Sequence, residues 1–154
     1  MDLLEKELQK AIDSQCYLAG LSLALTIPSV CGYFTSPSEK ESIRYPKWCE
    51  QYIPNFMDIL DGNECYALRC DLLHNGNDIL NHQPVLSRAG NPSYCRNHYH
   101  LHVPYSEHVF YLTVEDETGH ATKPFCAAAV IVNMLEGYRK FKEDHPAFVY
   151  PMSR

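Results

Sequence analysis

Positive charge is scarce in this sequence of 154 residues. Lysine and arginine together number 13, against 19 aspartates and glutamates, and the formal net charge is −6 at pH 7. Proteins that bind nucleic acid broadly and without sequence preference need many lysines and arginines on one face. The deficit argues against that class of protein, so any contact with a polyanion must be local.

Long apolar runs are missing as well. The longest, about residues 18–27, contains Gly20 and Ser22 and ends at Pro28, whereas a membrane-spanning helix needs about 20 apolar residues. The first five residues include two acids and no base, unlike the basic start of a secretory signal. We therefore predict a cytoplasmic protein without membrane association.

Paired metal-binding cysteines are also absent. The seven cysteines are an odd number and form no CxxC pair. Cys16, Cys65 and Cys126 stand among apolar residues in helical patterns, which favours reduced thiols packed as small hydrophobic side chains. The length and an apolar content of 45% predict one globular domain over residues 1–154.

Four segments have the features of helices. An apolar stripe in steps of three and four predicts a long first helix from Leu4 to Ile27, stopped by Pro28. A second is expected at about 39–52, where Pro46 either interrupts the helix or opens a new turn. A third starts at a cap on Asp61 or Asn63 and ends at Asn75-Gly76. The fourth is predicted to begin near Thr122-Lys123-Pro124 and to end before Pro146, with Ala127, Ile131, Met134, Tyr138 and Phe141 as its apolar stripe.

Alternating sequence before the fourth helix predicts β structure. Residues 98–103 and 109–114 each alternate, which indicates two short strands joined as a hairpin. The fold class that follows is mainly α: an antiparallel bundle of about four helices with a small β-hairpin inserted before the last helix.

An arginine and a histidine stand five residues apart near the end of the third predicted helix. Arg69 has no acid at the i±3 or i±4 positions, where helical ion pairs form, so its guanidinium needs a partner elsewhere: a salt bridge or a phosphate. His74 titrates near neutral pH, and the helix end together with Asp71 favours its charged form. The alternative is an internal ion-pair arginine and a histidine that caps the helix.

The segment between the third and fourth helices is locally basic. Residues 79–106 contain no aspartate or glutamate. One interpretation is a solvated insertion, and the other is a rim that meets RNA, with tyrosines for base stacking. On the second interpretation the substrate-binding residues are Arg88, Arg96, His98, Tyr99, His100 and His102.

Arg-x4-His at a helix end in a small, mainly helical protein resembles the motif of the HEPN superfamily. The match is Arg69 and His74, with Tyr66-Ala67-Leu68 before the arginine and two leucines before the histidine. One departure is Cys70, where the family usually has a polar residue; Asp71 follows it. The layout also looks like small uncharacterised bacterial proteins.

The resemblance implies a metal-independent endoribonuclease of bacterial toxin or phage-defence type, which needs no cofactor. It implies a homodimer in which both arginine/histidine pairs face one cleft, RNA as substrate and an antitoxin protein as a further partner. Arg69, His74 and Asp71 would be the catalytic residues. The competing class is a non-catalytic module of the same fold that binds a nucleotide, RNA or a protein.

The histidines offer a further alternative. His98, His100 and His102 would point to one face of a strand, a spacing that zinc sites use. Three imidazoles could leave one zinc position open for water and support hydrolysis. No fourth ligand is marked by its spacing in the sequence, so we predict no metal and prefer an exposed polar strand face.

Overall fold

The structure of the chain is a computed structural model that describes residues 1–76, 80, 83–91, 97–102, 114–115 and 121–151. For 97–102, 114–115 and 121–122 it describes the backbone alone. Within these ranges the architecture is mainly helical. The α-helices are α1 (Leu3–Asp13), α2 (Tyr17–Ala24), α3 (Ile27–Thr35), α4 (Glu41–Tyr52), α5 (Gly62–Asn75), α6 (Pro84–Ala89) and α7 (Ala127–Asp144).

The fold class predicted from the sequence is confirmed: a helical bundle with β structure before its last helix. Helices α3, α4 and α5 pack on one another in chain order, and α7 packs on α2 and α4. Buried side chains of these helices form one hydrophobic cluster, with Leu21, Tyr45, Leu68 and Tyr138 fully enclosed. Trp48 also lies in this core.

The predicted first helix, Leu4 to Ile27, is in fact divided into α1, α2 and the first residue of α3. The chain breaks after α1 at Gln15, whose φ of 56° lies in the left-handed region, and Cys16 is exposed there rather than packed in the core. Pro28 stands in the first turn of α3 instead of ending a helix. A proline is tolerated at that position because the first-turn N–H groups have no helical acceptor. The stripe looked continuous because all three helices bury apolar residues.

Helix α4 continues through Pro46, which lacks the N–H that an interior helical residue donates. The start of α5 approaches closely at this point: a Cβ on Gly62 would lie 2.7 Å from the Pro46 carbonyl oxygen. Only glycine fits so close a contact between backbones. The proline and the glycine therefore fix how α5 sits against α4.

Within the described residues the β structure is a three-stranded sheet, while the loop and most of the second strand of the predicted hairpin lie outside them. Strand β3 (Ala121–Cys126) lies between β1 (Asn97–His102), to which it is parallel, and β2 (Val114–Glu115), to which it is antiparallel. Pro124, expected in the first turn of the last helix, pairs with His100 in β3. Strand β2 pairs only with residues 121 and 122 of β3, so at Pro124 the strand β3 has a described neighbour on one side only. A proline, which has no backbone N–H to donate, is tolerated at such a position. The helix itself begins at Ala127, and its predicted stripe is buried.

One stretch, Tyr17–Thr35, is long and apolar enough by composition to cross a membrane. It is longer than the run noted in the sequence because α3 adds apolar residues beyond Pro28. In the fold it is divided between α2 and α3, and 44% of it is buried. Its buried residues, among them Leu21 and Ile27, belong to the hydrophobic cluster.

Candidate functional site at the end of helix α5

Both ends of α5 are fixed by its own sequence. At the start, Asp61 and Glu64 form a capping box, in which each side chain accepts a hydrogen bond from the other's backbone N–H, at 2.9 and 2.8 Å. Lys123 of β3 also holds the buried Glu64 carboxylate, at 2.7 and 2.8 Å. At the far end Gly76, with φ of 70°, provides the left-handed residue that terminates the helix. The predicted bounds of this helix are confirmed.

Arg69 has an acidic partner in another helix. Its Nη2 lies 3.5 Å from Oε1 of Glu41, in the first turn of α4. The two side chains are 21% and 28% exposed, so the pair is half-buried. Burial alone would lower the pKa of Arg69, but the Glu41 carboxylate together with Cys70 and Tyr66 outweighs burial and raises the pKa. The guanidinium is therefore charged at any physiological pH.

The ion pair leaves the Arg69 guanidinium only partly satisfied. Its Nε is buried and has no hydrogen bond to the residues that the structure describes. Its Nη1 donates to the Cys70 sulfur at 3.9 Å, a weak acceptor. In the single chain Arg69 is thus an internal ion-pair residue, the alternative noted from the sequence. The donor that a further anion can take is Nη1, because its present acceptor is weak.

His74 stands in the last turn of α5 with its side chain exposed. It forms no hydrogen bond or ion pair with Arg69, with Asp71 or with any other described residue. Five residues of helix separate it from Arg69 by about 140° around the axis and about 7.5 Å along it. The two side chains therefore leave α5 on different sides.

Asp71 is fully buried, with 0% exposure. Its Oδ1 accepts hydrogen bonds from Asn75, at 2.8 Å, and from Gln83 at the start of α6, at 3.0 Å. These bonds tie the last turn of α5 to the next helix. Asp71 thus supports the helix end that carries His74 and has no direct contact with that imidazole, although the sequence pointed to a catalytic role.

Arg88 is exposed on α6 and lines a small cleft of about 310 Å³. Lys40, Ser42 and Asn63 line the same cleft. The cleft therefore carries two cations, and Lys40 directly precedes Glu41, the partner of Arg69, in the chain. The sequence pointed to Arg88 but not to Lys40 or Glu41, because nothing local in a sequence connects α4 with α5 and α6.

The other predicted substrate-binding residues are only partly described. His98, Tyr99, His100 and His102 lie on β1, which confirms a strand there, but their side chains are outside the described residues, and so is Arg96. Of the second predicted strand, 109–114, only residue 114 lies within the described residues, and it belongs to β2. Among described side chains, no group of three His, Cys, Asp or Glu residues is arranged to hold a metal ion.

Comparison of the chain with protein-family models, with curated proteins and with solved structures gives no match.

Proposed function

We propose that this protein is a HEPN-like, metal-independent endoribonuclease whose site is the Arg69/His74 end of α5, completed by a second copy of the chain. The observation that carries the proposal is an exposed imidazole without a described partner, on the same half of α5 as a guanidinium whose Nη1 has only a weak sulfur acceptor. A proton-transfer group must reach its substrate, and His74 is accessible.

The separation of Arg69 and His74 around α5 favours a site built from two chains. One phosphate is not easily reached by two side chains that leave a helix about 140° apart. Across a two-fold axis, Arg69 of one protomer can instead approach His74 of its partner. Leu73 beside His74 is 39% exposed and Ile43 at the start of α4 is 45% exposed, which supplies apolar surface for such a contact.

The chemistry assigned to the site is transfer of the RNA phosphodiester to the neighbouring ribose hydroxyl. His74 accepts the proton of the 2′-OH as that oxygen attacks phosphorus, and the bond from phosphorus to the 5′-oxygen breaks. The leaving oxygen takes a proton, from imidazolium or water. Arg69 stabilises the charge of the phosphorane. The product ends in a 2′,3′-cyclic phosphate, and no metal takes part.

The cleft between α4 and α6 is the place we assign to the flanking phosphates. Lys40 and Arg88 both line it and both are exposed, so their charges are available to an anion. Two such contacts suit a protein with a net charge of −6, which can attract RNA only locally. A toxin or phage-defence role, with an antitoxin as partner, belongs to the same proposal.

A second candidate is a non-catalytic module of the same fold that binds a nucleotide or RNA. It is favoured by two specific observations: Glu41 already neutralises Arg69, and Asp71 is buried away from His74. On this alternative the α5 end and the cleft hold the ligand without turnover.

Cleavage of mixed single-stranded RNA distinguishes the two candidates. His74→Ala should lower the rate by about 10²–10⁴-fold, the contribution of positioned acid–base catalysis, and cyclic phosphate should end the wild-type products. Lys140→Ala is the matched control, since it also removes an exposed basic side chain late in a helix. Equal cleavage by wild type and His74→Ala would contradict the enzyme. If wild type and His74→Ala both bind RNA and neither cleaves it, the non-catalytic binding module is the function that remains.

A further inference from the structure

A second cavity, with Glu41 in its wall, lies between α3, α4 and the segment after α7. Its volume is about 1020 Å³, at the upper end of the range of small-molecule sites. Its walls are mainly apolar and include Tyr33, Phe34, Phe148 and Val149. Tyr33 and Val149 are 59% and 61% exposed, so the cavity opens to solvent.

The aromatic wall of this cavity is a packed cluster. The Phe34 and Phe148 rings meet edge to face, with centroids 5.2 Å apart, and Phe34 meets Phe141 in the same way at 6.3 Å. Edge-to-face stacks present ring faces and edges that another apolar group can extend. The cavity is therefore suited to a ligand with a substantial apolar part.

Among the described residues that line the cavity, Arg44 alone carries a positive charge. Its Nη1 donates to the Glu39 carbonyl oxygen and its guanidinium carbon lies 5.3 Å from the centre of the Tyr33 ring. It makes no salt bridge with an acid within the described ranges, and its buried Nε has no hydrogen-bond partner there. Because Nε is enclosed, the donors left for a ligand are those of Nη2 and the second N–H of Nη1, the end-on pair that binds a carboxylate through two parallel hydrogen bonds.

From this placement we propose that the cavity binds an apolar monocarboxylate, with the acid on Arg44 and the apolar part against Phe34, Phe148 and Val149. Glu41 in the wall makes a dianion such as phosphate a poor ligand, while its own charge is offset by Arg69. A single guanidinium balances a single negative charge. The proposal concerns a site separate from the α5 end and does not depend on RNA cleavage.

Titration of the full chain with two acids and their amides tests the charge requirement. Phenylacetate and octanoate, an aromatic and an aliphatic probe, are compared with phenylacetamide and octanamide by NMR shift changes. The stronger-binding acid should bind at least about tenfold more tightly than its amide, because only the acid forms the charge-assisted pair. Equal binding of acid and amide, or no saturable binding of either acid up to about 10 mM, would overturn the proposal.

Two variants locate the binding in the cavity. Val149→Glu places a negative charge on an exposed wall residue, and Leu18→Glu makes the same change at a residue 53% exposed outside the cavity. Val149→Glu should weaken acid binding about tenfold and Leu18→Glu should not. Arg44→Lys, which keeps the charge but lacks the paired donors, should also weaken it. If Val149→Glu and Leu18→Glu weaken acid binding equally, the acid binds outside this cavity.

Discussion

The Arg69–Glu41 pair decides how much of the α5 end is available to a ligand. Its two charged atoms are 3.5 Å apart, longer than a good charge-assisted hydrogen bond. Both side chains are partly solvated, so the pair contributes only about 0.2–1 kcal/mol. A phosphate with two oxygens facing the guanidinium can compete with such a partner. Glu41 therefore restrains Arg69 without blocking it.

Glu41→Gln should strengthen RNA binding. The substitution frees the Arg69 guanidinium, and the weakness of the pair limits the gain to about fivefold. Affinity for a short single-stranded RNA at low salt measures it. The matched control is Glu39→Gln, which makes the same charge change two residues away and breaks a surface pair with Lys47. If Glu39→Gln gives an equal gain, net charge explains the effect and Arg69 does not.

Among the helices, α1 and α7 are joined by a compact charge network. Lys142 lies 3.1 Å from Asp2 Oδ2 and 2.6 Å from Glu5 Oε2. The Tyr138 hydroxyl donates to Asp2 at 2.7 Å, and Arg139 contacts Glu5 at 3.3 Å. Burial by itself would raise the pKa of both carboxyls, but these bonds outweigh it and lower the pKa of Asp2 and Glu5.

Stability should fall in acid because of this network. A carboxyl whose folded-state pKa is lowered stabilises the fold above its unfolded pKa of about 4, and that contribution is lost as the pH falls through the folded value. Lys142→Gln should lower the free energy of unfolding by about 1–3 kcal/mol at pH 7, with the difference shrinking below about pH 4. Urea denaturation across pH 3–7 measures both.

Lys140→Gln is the control for that measurement, because Lys140 is exposed two residues before Lys142 and has no ion pair within the described ranges. A loss of stability that is the same at pH 3 and pH 7 would show that packing of the lysine chain, and not its charge, matters.

Local signals in the sequence predicted the elements that depend on local chemistry. Asp61 and Gly76 define α5 because a cap and a left-handed terminator act within one helix turn. The apolar stripe of α7 could be predicted in the same way, from the spacing of its residues. The break at Gln15 and the strand through Pro124 were not, because each depends on contacts with distant parts of the chain: α2 packing on α7, and β1 pairing with β3.

At the scale of the whole molecule, the sequence could predict which residues form the candidate site, but it could not predict how they are arranged in space. Arg69 and His74 could be selected from their spacing, and the absence of a local acid correctly implied a partner in another element. That this partner is Glu41, and that Asp71 turns inward, follow from the packing of α4 and α6 on α5. No pattern in the sequence pointed to Arg44 or to the cavity that it lines.

A site shared between the α5 ends of two chains can be tested most directly by mixing Arg69→Ala protein with His74→Ala protein. Neither variant has both groups, but a mixed dimer has one complete set across its interface. Light scattering first verifies that the mixture is dimeric. We expect each variant alone to be inactive and the mixture to regain about a quarter of wild-type activity, because random subunit exchange makes about half of the dimers mixed and each carries one of two sites. A mixed dimer that stays inactive while wild type cleaves RNA would contradict the shared site.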